Sequence, residues 1–190
     1  MKLTKQLPPL EYLQECFEID LSCPSGLRWK KRPFYHFKTE GGAKYHSTRF
    51  AYQPAGNKKV TGYYQVILKW ELEGRSERYA SARIVYALFN STIDFSGIEI
   101  DHIDKNPQNN NPENLRLATS EQNSHNRLVR KDSSSGIKGV SFLKNTGRWK
   151  AKIISGGKIA YEKTFKTKEE AKQAYERESL KIHGDFSIHI

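Results

Sequence analysis

Cysteine is scarce in this 190-residue chain: Cys16 and Cys23 are its only two, and they do not form a CxxC pair. That argues against a zinc knuckle, which needs more thiolate or imidazole ligands at close spacing. Two free thiols suit a reducing cytoplasm, where the chain is expected to work. No secretory apolar segment follows Met1, and no apolar run approaches the length of a membrane span, so a soluble protein without membrane contact is expected. Acidic residues are outnumbered, 21 against 32 Lys and Arg, for a net charge of +11. A polyanion, nucleic acid above all, is the partner such a balance favours. With 28% charged and 12% aromatic residues the composition is globular, not disordered. The length allows one medium domain or two to three small modules.

What is present divides into regions. Residues 1–95 read as a basic, strand-rich region with turn signals at Pro24-Ser25-Gly26, Gly41-Gly42 and Gly56-Asn57. From Tyr63 to Trp70 the chain alternates, with Tyr64, Val66, Leu68 and Trp70 on one face of an expected half-buried strand. Ser81 precedes Ile84, Val85 and Leu88 as the expected cap of a short amphipathic helix. The mix of Lys, Arg, Tyr, Phe and His between Leu27 and Arg49 reads equally as a nucleic-acid surface or as solvated lysines over a small β core.

Residues 101–123, DHIDKNPQNNNPENLRLATSEQN, carry the chemistry. An Asp-His pair closes a short apolar run, an Asn-rich loop follows, Leu115–Ala118 reads as a returning strand, and Thr119 and Gln122 form a T-x-x-Q box opening a helix. From 96 to 126, Glu99, Asp101, Asp104, Glu113 and Glu121 oppose only Lys105 and Arg116. Such a local inversion of charge suits a cation site in a basic protein. His102 is a natural general base, since a neutral imidazole can take a proton from water near pH 7. Adjacent strand residues point to opposite faces, but Asp101 and His102 can serve one site where the strand ends and the chain turns. Asp104 is expected to cap the loop, with Asn109, Asn110 and Asn111 as loop formers.

The segment resembles the HNH endonuclease motif in its Asn-ended form, a ββα-metal site. The resemblance implies DNA phosphodiester hydrolysis. It makes Asp101 and Asn123 the ligands of one Mg²⁺ (or Mn²⁺) per active site, and His102 the catalytic base. Asn114, the middle Asn of the motif, is expected to accept from one imidazole N–H and fix the tautomer. Oxygen ligands from Asp and Asn suit such a hard cation. His125 lies about 200° around the helix from Asn123 and is read as facing solvent or phosphate. Arg127, one turn beyond Asn123, is expected to reach a phosphate. Residues 11–32 and the 63–90 stretch resemble, more loosely, the region preceding this motif in phage HNH proteins.

Residues 128–135 read as a linker ending in Ser133-Ser134-Ser135-Gly136. Beyond it, 139–143, 148–154 and 159–165 read as three strands, and Thr167 with Glu170 makes a capping box for a helix ending at Gly184. Alternation puts Trp149, Ala151 and Ile153 against Ala171, Ala174 and Tyr175, leaving Arg148, Lys150 and Lys152 on the other face. Residues 135–187 resemble the plant Apetala/ethylene-response-factor DNA-binding domain, whose sheet lies in the major groove. That implies DNA contacts from Lys138, Lys144, Arg148, Lys150, Lys152, Tyr161 and Lys163. Ser141, Leu143 and Ile154 stand where the family has base-reading arginines, so its sequence specificity does not carry over. From 127 to 190 fifteen Lys and Arg oppose seven Asp and Glu.

The expected protein is therefore α+β. It comprises a basic strand-rich N-terminal region (1–95), a ββα-metal nuclease module (96–127), a linker (128–135), and a three-stranded antiparallel sheet packed on one helix (136–190). Its expected partner is double-stranded DNA, bound as a monomer with dimerisation left open. The rival reading is a non-catalytic DNA-binding regulator on a nuclease-derived scaffold.

Overall fold

A computed structural model of the chain describes residues 6–71, 74–95, 97–126, 129 and 133–187. The chain forms two compact units, 1–117 and 118–190. Helix and strand are mixed, consistent with the α+β expectation.

The first unit begins with helix α1 (Leu10–Cys16), followed by the hairpin of β1 (Phe17–Ile19) and β2 (Leu27–Trp29). Phe17 pairs with Trp29 and Ile19 with Leu27 in antiparallel register. Helix α2 (Glu40–Phe50) comes next. A three-stranded sheet is then built from β3 (Asn57–Lys58), β4 (Tyr64–Leu68) and β5 (Glu77–Ala80), in the order β3-β4-β5. Helix α3 (Ser81–Asn90) leads on to β6 (Glu99–His102), which pairs with β7 (Leu115–Ala118). The core joins Leu13, Phe17 and Leu27 to Val66, Leu68, Ile84, Val85 and Leu115. The expected alternation holds in β4, whose Val66 and Leu68 are buried.

Three expectations for this unit need correction. Residues 1–95 are not dominated by strands: helices of 7, 11 and 10 residues outweigh strands of 3, 3, 2, 5 and 4. Gly41-Gly42 is not a turn but the first turn of α2, whose N-cap Thr39 accepts from the Gly42 N–H at 3.1 Å. A strong cap compensates for two poor helix formers there. Ser81 does not cap α3; it is fully buried inside the first turn, and Ala80 occupies the cap position with no side-chain bond.

The second unit opens with helix α4 (Ser120–Asn126). The Thr119–Gln122 box forms as expected: the Thr119 N–H donates to Gln122 Oε1 at 2.8 Å, and the Gln122 N–H to Thr119 Oγ1 at 3.2 Å. Strands β8 (Val140–Leu143), β9 (Arg148–Ser155) and β10 (Lys158–Phe165) make an antiparallel sheet in the order β10-β9-β8. It packs on α5 (Lys168–His183), which starts with the Thr167–Glu170 capping box and stops at Gly184. The core is Val140, Ala151, Ile153, Ala171 and Tyr175, with Trp149 and Ile182 partly buried against it. A Cβ on Gly139, at φ +66°, would lie 2.1 Å from the Tyr175 ring, so only glycine lets the sheet close on this helix. Of the linker reading, 128 and 130–132 lie outside the described residues; 133–136 form a turn closed by the Gly136 N–H on the Ser133 carbonyl at 3.2 Å.

Candidate active site

The first unit ends β6 on a buried pair, Asp101 and His102, 5% and 6% exposed. Ile100 packs on the core behind them. The loop that follows is braced from within. Asp104 Oδ1 accepts from the Asn106 N–H at 2.8 Å and from Asn114 Nδ2 at 2.9 Å, while Oδ2 accepts from Asn109 Nδ2 at 2.7 Å. Burial works to raise the Asp104 pKa, but these hydrogen bonds win and hold it below the usual carboxylate range. Asp104 is thus the loop cap that the sequence suggests, and its charge is spent on loop geometry.

Asn114 does not contact the imidazole. Its Oδ1 accepts from the Asp104 N–H at 3.0 Å, and its Nδ2 donates to Asp104 Oδ1 and, at 2.8 Å, to the Asn109 carbonyl. This corrects the expected role: the middle Asn closes the loop onto β7, and its amide is fully engaged there. The residue that meets His102 is Asn110, read from sequence only as a loop former. Asn110 Oδ1 lies 2.9 Å from His102 Nε2, and Asn110 Nδ2 donates to the Ser25 carbonyl at 2.9 Å.

That chain of bonds assigns the imidazole tautomer. A backbone carbonyl can only accept, so the Asn110 amide must turn its NH₂ toward Ser25 and its oxygen toward His102. The oxygen in turn accepts from Nε2–H, which leaves Nδ1 of a neutral ring as the basic nitrogen. The turn at 23–26 supplies the fixed carbonyl. Gly26 sits at φ +76°, and a Cβ there would lie 3.2 Å from the Asn110 Cβ and 3.3 Å from Val85, so the turn needs glycine to approach. The Tyr63 ring lies edge-on to His102 at 5.9 Å.

Asp101 accepts from Arg116 Nε at 2.9 Å through Oδ2. Among the described residues no group of three or more His, Cys, Asp or Glu is placed to hold a metal ion. A closed four-ligand site of zinc-finger type is therefore not built from those residues. One buried carboxylate beside an imidazole instead fits a hard cation that keeps several waters, in the manner of Mg²⁺. Asn123 lies on α4 in the second unit, and its N–H donates to the Thr119 carbonyl at 2.9 Å. The side chain of His125, and Arg127 altogether, lie outside the described residues.

Within the second unit, Arg148, Lys150 and Lys152 share the sheet face turned from the helix, because the alternate residues Ala151 and Ile153 are buried. Register overturns two expected neighbours. Tyr161 pairs with Ile153 and Lys163 with Ala151, so both lie on the helix side, and Tyr161 packs on the core. The cause is a bulge between Ile159 and Tyr161. One extra residue inverts the faces of everything after it. Glu162 and Thr164 are thereby brought beside the lysines, with Glu162 Oε2 at 3.9 Å from Lys150 Nζ and 3.7 Å from Lys152 Nζ. Lys138 donates to the Ser124 carbonyl of α4 at 2.9 Å instead of pointing from the sheet. Lys144 is exposed in the β8–β9 turn.

An Asp-His pair closes one strand, and a braced loop, a returning strand and a capped helix follow it in sequence, the order of parts in the motif that the sequence resembles. Comparison with known proteins agrees. Residues 79–125 match the HNH endonuclease family model. Over 105 residues the chain is 37% identical to an uncharacterised HNH endonuclease of Acanthamoeba polyphaga mimivirus, covering 55% of this chain and 54% of that protein. Over 93 residues it is 36% identical to Protein 3.8 of Escherichia phage T7, covering 48% of this chain and 74% of that protein. The chain belongs to the HNH endonuclease family. It spans about half the length of the mimivirus relative. No helix among the described residues is long and apolar enough to cross a membrane.

Proposed function

We propose that this chain is a metal-dependent DNA endonuclease that nicks duplex DNA, leaving 5′-phosphate and 3′-hydroxyl ends. The observation that carries the reading is the bonded chain Ser25–Asn110–His102, which holds a buried imidazole in the tautomer a general base needs. His102 takes a proton from the attacking water through Nδ1, and the Nε2–H···Asn110 bond steadies the imidazolium that forms. Asp101, with Asn123 taken from the sequence resemblance, would hold Mg²⁺ or Mn²⁺. When bound, such a cation supplies charge stabilisation to the scissile phosphate and the departing oxygen. Asn114 keeps the loop closed, so that Asp101 and His102 stay at the end of β6.

DNA contact is assigned to the Arg148–Lys150–Lys152 face and Lys144 of the second unit, with Arg127 as a further phosphate contact. One site per chain suits nicking by a monomer, with double-strand breaks needing a second event. The test is relaxation of supercoiled plasmid by wild type and by His102→Ala, with and without Mg²⁺. Metal-dependent nicking that is lost in the variant supports the reading. Retained DNA binding with no cleavage on any substrate would point to a DNA-binding regulator instead.

A further inference from the structure

A cavity in the first unit, of about 380 Å³, opens between the end of β2, α2 and β4. Its walls include Trp29, Arg32, His46, Phe50, Asn57 and Lys69, and its lining contains no Asp or Glu. Its volume lies within the usual range for small-ligand sites, roughly 300–1,000 Å³.

Three features set it apart from a packing defect. Arg32 is buried at 8% exposure. Its Nε meets His36 Nδ1 at 3.2 Å, its Nη2 donates to the Tyr12 hydroxyl, and its Cζ lies 4.7 Å from the Phe37 ring centre and 5.9 Å from that of Trp29. Among the described residues no carboxylate pairs with it; Glu15 is taken by His36, at 2.7 Å, and by the Tyr35 hydroxyl. Arg28 of the same unit is treated differently, with Asp20 at 2.5 Å. A desolvated guanidinium held by aromatic faces and neutral groups lacks the counter-charge that buried cations normally take.

Second, His46 Nδ1 is buried with no hydrogen-bond partner. Burial first, then the neighbouring Arg32 and His36, push its pKa down to about 4, so the ring is neutral at pH 7 and can donate or accept. Third, the Trp29, His46 and Phe50 rings are contiguous, with Trp29–His46 centroids 5.0 Å apart and His46–Phe50 5.1 Å. Around them Tyr45 and Tyr52 are 59% and 61% exposed, in a segment that also carries Lys38, Lys44 and Arg49.

We propose that this cavity binds one unpaired nucleotide, its base against the Trp29–His46–Phe50 wall and its phosphate at Arg32 and Lys69. Aromatic surface takes any base by stacking, and cations without a carboxylate in the cavity lining take a phosphate. The proposal rests on the nucleic-acid reading above and deepens it. The nucleotide can come from a single strand or from a duplex that extrudes one base.

The test uses the full chain without metal, so that cleavage does not enter. Single-stranded oligonucleotide, a duplex with one bulged nucleotide, a fully paired duplex and inorganic phosphate are titrated in turn. The Trp29 indole and His46 ring signals are followed by NMR, and oligonucleotide affinities by fluorescence anisotropy. Expected are saturable shifts of both signals with the single strand, the bulged duplex or both, the responsive ligand identifying the source. His46→Phe and Lys69→Ala are expected to weaken that ligand at least about fivefold, by analogy with the loss of one stacking or phosphate contact. Unmoved Trp29 and His46 signals while the unpaired ligands bind would overturn the proposal. So would shifts produced as well by inorganic phosphate as by any oligonucleotide. If a variant does not fold, the wild-type titration still decides. A chain that fills this pocket yet never nicks plasmid would refute the nuclease reading alone.

Discussion

Asn110→Ala removes two 2.9 Å bonds at once, one from the His102 imidazole and one to the Ser25 carbonyl. Asn110 is 4% exposed, so water does not readily replace either bond. Each buried group left unsatisfied costs about 1–3 kcal/mol, which puts the stability loss of the first unit at roughly 2–6 kcal/mol. The effect on chemistry is separate. A net hydrogen-bond bias of about 0.5–1.5 kcal/mol sets the tautomer ratio, and losing it shifts that ratio by about 2- to 13-fold. Freeing the ring to rotate adds to this. The expected fall in cleavage rate is about 10- to 100-fold, less than the loss in His102→Ala, where about 10²–10⁴ rests on the base itself. Single-turnover nicking, run well below the variant's melting midpoint with protein in excess, isolates this from folding and binding. Long-range ¹H–¹⁵N NMR of the wild type should show the proton on Nε2 of His102. Full-rate cleavage by Asn110→Ala, or a proton on Nδ1 in the wild type, would refute the reasoning.

Other expectations follow the same logic. Arg116→Ala breaks the 2.9 Å pair to buried Asp101 and should destabilise the metal-free protein by about 3 kcal/mol, the low end for a buried pair because Arg116 is part-exposed. Mg²⁺ or Mn²⁺ should raise the variant's melting midpoint more than the wild type's by scanning fluorimetry, and equal responses would count against Asp101 as a ligand. Glu162→Gln removes the carboxylate beside Lys150 and Lys152 and should tighten duplex binding about 2- to 5-fold at low salt, whereas Lys150→Ala should flatten the salt dependence by about one unit of slope, both read by anisotropy. The His46 pKa is depressed from about 6.5 in the unfolded chain to about 4, chiefly by burial and then by Arg32 and His36. The unfolded chain therefore binds the extra proton, and stability falls as pH drops through that window. Urea midpoints from pH 7 to 4 should fall less steeply in His46→Phe than in the wild type.

Much of this was legible in the sequence, for local reasons. The Thr119–Gln122 and Thr167–Glu170 boxes are short-range bonds, and both form where their spacing puts them. The Trp149, Ala151, Ile153 face follows from a period of two, and Asp104 caps its loop as an Asp in an Asn-rich turn does. What escaped was set at a distance. Nothing within 101–123 distinguishes Asn110 from Asn109, Asn111 or Asn114 as the partner of His102. The choice is made by a carbonyl 85 residues away, delivered by a turn that needs Gly26. The bulge before Tyr161 has no period to betray it, yet it exchanges Tyr161 and Lys163 for Glu162 and Thr164 on the lysine face. Helix α2 was hidden because Gly41 and Gly42 read as a turn, while the cap at Thr39 outweighs them.

The central claim is that His102, oriented through Asn110, is the base of a metal-dependent nuclease. Its most direct measurement is nicking of supercoiled plasmid in Mg²⁺ by wild type and by His102→Ala, with DNA binding followed in parallel. Nicking that needs the cation and disappears in the variant, while binding persists, is the result predicted here. Equal nicking by both proteins, or tight binding by the wild type with no nicking in Mg²⁺ or Mn²⁺, would contradict it.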